Sequence, residues 1–391
     1  MQPDSADSTD LTSTKVSELG EVNMGDANVL KDFVSWGKSS YPAEHYALVI
    51  WNHGGGVRSI GDSEFSPSIK GSAYDTTSDD DFIFTGELSD VLTASESVDL
   101  LGFDACLMGM TEVAYEYRPG RVDAFGADYF VAAPHTEQGN GWPYNEIISR
   151  FAADRDVSDP GYDVSTMSAA ELAGILVKEY GDFCESVSPS DALTALDNSK
   201  IEGVRTALDA FSALATSYQT PLETIRGNHS SYTPEGGTVG TGPVTMDYFD
   251  GEASYDGNTP WYGTPHFDLY DFADRVSSDG NLSSLSTAAA TLKTAVDDAV
   301  ISSWGGSHYD AEANGGTAHV DGKHGLGFFF PAGDFKEEGY SKDWAYISAF
   351  YTNSDYSSSS GSYGKLDFLS LTDDSTVNTW YELLDYWFAE D

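Results

Sequence analysis

The chain has 391 residues, 40% hydrophobic and 13% aromatic, enough apolar material for a sizeable core and too much for a wholly disordered polymer. Its 19 Lys and Arg stand against 64 Asp and Glu, a net charge of −45, which excludes nucleic acid and anionic membrane as natural partners and favours cationic ones. With only Cys106 and Cys184 there is neither a disulfide framework nor a four-thiolate zinc site, and no run approaches the ~18 apolar residues of a membrane span.

Residues 1–16 are polar and acidic and read as a flexible arm ahead of a single domain over 17–391. They show no basic n-region and no apolar stretch, so no export leader is visible. Residues 25–40 predict a helix with Asp26 as its cap. Tyr46 to Trp51 is a continuous apolar run closed by Gly, the pattern of a strand buried on both faces. Residues 57–81 read as a long surface loop. TGELSDVLTAS predicts a helix with Thr85 as its cap. VDLLGFDAC repeats the buried-strand pattern, and a helix is expected from about Met108. VDAFGADYFVAA gives a third strand, and GNGWPYNEIISRFA a turn feeding a helix. Residues 168–185 and 199–218 read as helices around a strand at 191–197. DLYDFADRVSS and LSTAAATLKTAVDDAVISSW have helical patterns, HGLGFFFPAG that of a strand. The Ser/Tyr/Gly-rich stretch 351–365 reads as a surface loop. TWYELLDYWFAED closes the chain as a helix. This alternation predicts an α/β fold with a mainly parallel central sheet.

Two of the strands end in a reactive residue, His53 in NHGGG and Cys106 in FDACLMG. In an open parallel sheet functional groups gather at the carboxyl ends of the strands. If the two strands are neighbours, thiol and imidazole meet at one edge as nucleophile and base. Without a Cβ, Gly54 lets a backbone N–H approach an oxyanion, and with the Cys106 N–H it would form the oxyanion hole. A lone cysteine is most often a small buried hydrophobe, and Cys184 is read that way.

YALVIWNHGGG, then VDLLGFDACLMG, then GWPY resembles the clostripain family of cysteine peptidases, in the clan of caspases, gingipains and legumains. The resemblance implies a caspase-like α/β/α sandwich and hydrolysis of peptide bonds after Arg or Lys. It makes Cys106 the nucleophile and His53 the general base and acid. Asp104 would be the floor of the specificity pocket, its charge pairing with the substrate's basic residue. His135 and Trp142 would border the cleft. The family is often self-cleaved, which marks Lys70–Gly71 in the 57–81 loop, where Arg58 also lies. It is usually exported, although nothing in this N-terminus shows it and a cytoplasmic location stays open. It needs no cofactor and is helped by calcium. Asp75, Asp79, Asp80 and Asp81 can collect Ca2+ but do not follow EF-hand spacing. His308, His319 and His324 match no zinc signature, so no metal ligand is assigned. The expected partner is a peptide or protein with a basic residue; the oligomeric state is left open. Two other readings stand beside this one: an inactive scaffold that keeps the fold, and a thiol hydrolase of small amides.

Overall fold

The computed structural model describes residues 15–57, 72–79, 81–134, 137–151, 165–187, 191–226, 248–249, 266–306, 325–330, 366–369 and 376–388. Five apolar runs pair into a central sheet in the order β1 (Ala47–Trp51), β4 (Val98–Asp104), β5 (Ala127–Ala132), β6 (Ala192–Asp197), β9 (Val300–Gly305). β1, β4 and β5 run parallel, whereas β6 and β9 join antiparallel. The sheet is therefore mixed rather than mainly parallel. Helix α5 (Ala169–Val187) delivers the chain to the rim where β5 ends, and β6 starts there and runs back.

Helices cover both faces, which explains the unbroken apolar reading of β4. Leu101 and Phe103 join the larger core, with Phe130 and Ala132 of β5 and with α3 (Thr111–Glu116), α6 (Ile201–Ala215), α7 (Gln219–Arg226), α8 (Leu269–Ser278) and α9 (Ser283–Ala299). Leu100 and Val131 turn to the other face, where Leu176, Val177 and Tyr180 of α5 pack with Trp142. The result is the α/β/α sandwich. Helix α10 (Trp380–Phe388) seals the larger core, its Trp380 ring 5.3 Å from Phe328 and its Nε1 donating to the Phe329 carbonyl.

The amphipathic periods gave the long helices. Helix α1 (Ala27–Ser40) is capped by Asp26, which accepts from the Asn28 amide at 2.8 Å. Helix α2 (Thr85–Val91) differs from expectation at its start: Thr85 is its first residue and Phe84 its cap, the Glu87 carboxylate accepting from the Phe84 amide. The helical reading of 300–304 fails, because β-branched Val300 and Ile301 open β9 against β6. The presumed 57–81 loop contains a hairpin, β2 (Ser72–Asp75) with β3 (Asp81–Ile83). Strand β10 (Gly327–Phe329) lies in a second sheet with β8 (His266–Asp268) and β7 (Tyr248–Phe249).

The acidic side of the hairpin docks the segment before α1. Asp75 accepts from the Met24 amide and from Thr77, which holds its carboxyl down at about 2. Asp81 accepts from Asn23 at 2.5 Å. These oxygens are committed to the protein's own donors, and no group of three or more His, Cys, Asp or Glu among the described residues is arranged to hold a metal ion.

Candidate active site

Register places the two reactive residues. In the β1–β4 ladder Ala47 faces Leu100 and Trp51 faces Asp104, a constant offset of 53 positions. His53 and Cys106 are each two residues beyond that last pair, at the same rim of neighbouring parallel strands. The loops that carry them touch. A Cβ built on Gly54 would stand 2.1 Å from the Cys106 carbonyl oxygen and 3.0 Å from its amide nitrogen, so only glycine fits. Gly54→Ala is expected to push the two loops apart and to lower kcat/KM by about 100-fold in steady-state hydrolysis, the scale of a 1 Å misplacement of reacting groups.

The turn after β1 is held by Asn52. Its φ of 156° is rare outside glycine, and three hydrogen bonds fix it. Its amide donates to the Asp104 carbonyl at 3.3 Å, its Nδ2 to the Tyr74 carbonyl at 3.2 Å, and its Oδ1 accepts from the His53 amide at 2.6 Å. The exposed imidazole of His53 lies edge-on to the Tyr74 ring, centroids 6.2 Å apart. After half-buried Cys106 the chain turns through Leu107 in the left-handed region (φ 64°), and Gly109 donates to the Ala133 carbonyl at the end of β5.

Asp104 sits beneath this rim, 2% exposed. Both carboxylate oxygens accept from the Trp142 amide at 3.1 Å, and Oδ2 also accepts from Tyr144 Oη at 2.7 Å. Burial pushes its carboxyl upward from the ordinary range, against the pull of these donors. Half-buried Glu137 lies close by, its carboxylate accepting from Trp142 Nε1 at 3.0 Å. Burial and the charge of Asp104 drive its carboxyl well upward from the ordinary range. Gly141 has φ 67°, and a Cβ there would stand 2.9 Å from the Asp104 oxygens. The Trp142 ring rests on Gly102 of β4, 2.8 Å from where a Cβ would be. Tyr144 is 38% exposed and connects this buried polar group to the surface.

The structure thus gathers Cys106, His53, Gly54, Asp104 and Trp142 at one rim. His135, Lys70, Arg58, Asp80 and the three C-terminal histidines lie outside the described residues. Neither cysteine is in a disulfide, and burial with the charge of Asp191 pushes the Cys184 thiol up to about 12, which leaves it inert. Sequence reasoning missed Asn52, Glu137 and Asp191; of these only Asn52, adjoining the His-Gly pair, carried a local signal. A cleft of about 600 Å³ lined by Arg118, Arg121 and Asp367 lies where β5 begins, at the other end of the parallel strands, and its guanidinium groups are committed to Asp367 and Glu202.

A thiol and an imidazole brought to one rim of an α/β sheet, beside a buried acid, is an arrangement of the cysteine peptidases. Residues 6–387 match the clostripain family, Peptidase C11. The chain is 32% identical over 392 residues to clostripain of Hathewaya histolytica, covering 94% of this chain and 70% of that protein. It belongs to the clostripain family of cysteine peptidases. Among solved structures it is similar to an inactive zymogen C11 protease from Parabacteroides distasonis, with 18% identity, TM-score 0.49, 83% of this chain and 73% of that one covered. It is also similar to a secreted C11 cysteine protease from Bacteroides thetaiotaomicron solved with an irreversible peptide inhibitor, with 18% identity, TM-score 0.49 and coverages of 86% and 77%. No helix among the described residues is long and apolar enough to cross a membrane.

Proposed function

We propose that this cysteine peptidase is an endopeptidase cleaving after Arg or Lys through a Cys106–His53 dyad. The observation that carries the proposal is the shared register offset of 53, which sets both groups two residues past one ladder pair. The Cys106 thiolate attacks the scissile carbonyl carbon, forming a C–S bond. The amides of Gly54 and Cys106 receive the oxyanion, each worth about 2.7–4 kcal/mol in comparable sites. As the C–N bond breaks, His53 gives its proton to the departing amine. It then takes a proton from the water that hydrolyses the thioester and frees the thiol.

Asp104 is the proposed partner of the substrate cation, reached past Tyr144, and Trp142 walls the same space. The proposal extends to self-cleavage at Lys70–Gly71, next to the start of β2, and to work outside the cell. Calcium has no assigned site, and no step depends on it.

A lysyl or arginyl chloromethyl ketone tests the assignment. The expected result is one label per chain, on Cys106, together with preference for Arg and Lys over neutral residues in a fluorogenic peptide panel. Label on another residue overturns the nucleophile, and preference for neutral residues overturns the pocket.

A further inference from the structure

The loop between β5 and α4 (Tyr144–Ser149) passes over the nucleophile, and its amides point in two directions. The Glu137 N–H donates to Cys106 Sγ at 3.3 Å. The next amide, Gln138 N–H, turns away and donates to the Asp191 carboxylate at 3.0 Å. We propose that Asp191 is a positioning residue for the nucleophile: by taking the Gln138 amide, it holds the Glu137 amide against the sulfur, where that dipole supports the thiolate. This rests on the assignment of Cys106 as nucleophile.

The sulfur needs that support. The loop that touches it carries one carboxyl group, Glu137, and binds two more through its amides, Asp104 on β4 and Asp191 ahead of β6. Tyr144 on α4 and Tyr180 on α5 are the phenols, Cys184 on α5 brings a second thiol to the Asp191 carboxylate at 3.9 Å, and His53 after β1 is the base. Negative charge at Asp104 and Asp191 disfavours a thiolate, so a hydrogen-bond donor aimed at Sγ works against that cost.

Asp191 is itself fixed. It is 4% exposed, its Oδ2 also accepts from Tyr180 Oη at 3.0 Å, and its carbonyl accepts from the Gly306 amide at 2.9 Å. Trp304 backs Tyr180 edge-on, centroids 5.9 Å apart. The loop is closed within itself as well. Gln138 Nε2 donates to the Gly141 carbonyl at 2.7 Å, and the Gly141 amide to the Gln138 carbonyl at 3.1 Å. A unit tied internally and anchored by Asp191 at one end and Asp104 at the other moves as one piece. Release at Asp191 therefore withdraws the Glu137 amide from the sulfur.

The test is the pH dependence of iodoacetamide alkylation at Cys106 in the full chain, with steady-state kinetics alongside. In Asp191→Ala the alkylation midpoint is expected to lie about one pH unit above that of Asp191→Asn, which loses the same charge but keeps the acceptor, with kcat about tenfold lower and KM less changed. Gln138 and Tyr180 both donate to the same oxygen, Oδ2, so the amide oxygen of Asp191→Asn can replace it and keep the loop seated; with the negative charge gone, its midpoint should lie at or below that of wild type. If the alanine variant does not fold, Asp191→Glu, which keeps the charge but moves the oxygen by one methylene, should raise the midpoint by a smaller amount. An alanine midpoint equal to the asparagine one, or an unchanged midpoint in the folded glutamate variant, overturns the positioning role. Retained hydrolysis by Cys106→Ala would instead overturn the nucleophile itself, so the two failures are distinguishable.

Discussion

Cys106→Ala is expected to lower kcat/KM on an arginyl or lysyl peptide by at least about 10⁴-fold, the scale seen when a covalent nucleophile is removed. Its melting temperature should stay within a few degrees of wild type. The side chain is only half-buried, and the sulfur's contacts include the backbone N–H and carbonyl of Glu137. Truncation therefore leaves no large cavity and no buried charge, the usual causes of a severe stability loss. His53→Ala should match it in activity, and the double variant should be little worse than either single one, because the two act as a unit. Intact-mass analysis supplies a second readout. Wild type should be cut at Lys70–Gly71, and Cys106→Ala should remain one chain. A cut alanine variant would mean that another protease does the processing.

Asp104→Asn is expected to have the next largest effect, and a selective one. A desolvated charge pair lost on one side costs about 3 kcal/mol, roughly 100-fold in kcat/KM for an Arg or Lys substrate. A peptide with a neutral residue at that position should change by less than about fivefold. The substitution keeps an acceptor for the Trp142 amide and for Tyr144, so the loop should stay seated. pH gives an independent check. Burial raises the Asp104 carboxyl, and the cation needs its charged form. Binding of a basic residue is then complete above the raised pKa and is lost as pH falls through it. The acid limb of kcat/KM for an Arg substrate should begin above the ordinary carboxylate value of about 4. The ratio of Arg to neutral substrate should lose that limb in Asp104→Asn. Equal loss on both substrates would make Asp104 a structural residue.

Much of this site was legible because it grows from strands buried on both faces. Leu100, Leu101 and Phe103 must be apolar whichever way they point, and the reactive residue follows directly after them. What was illegible depends on partners distant in the chain. Val300 to Trp304 continues the pattern of α9, and only the ladder with β6 makes it a strand. Asp191 comes 85 positions after Cys106 with no motif around it. It reaches the rim because β6 runs opposite to β5, a direction local patterns do not encode. Asn52 is different: the tripeptide was read for its His and Gly, and the strained φ before them was invisible without coordinates.

The five register pairs between β1 and β4 have a corollary for the chain that joins them. Insertions or deletions in that connection alter the numerical gap between imidazole and sulfur and leave their facing positions untouched, because a ladder measures alignment and not contour length. A backbone broken there likewise keeps both fragments clasped in one sheet. Nicking and drift in length are thus changes that the reactive pair can absorb.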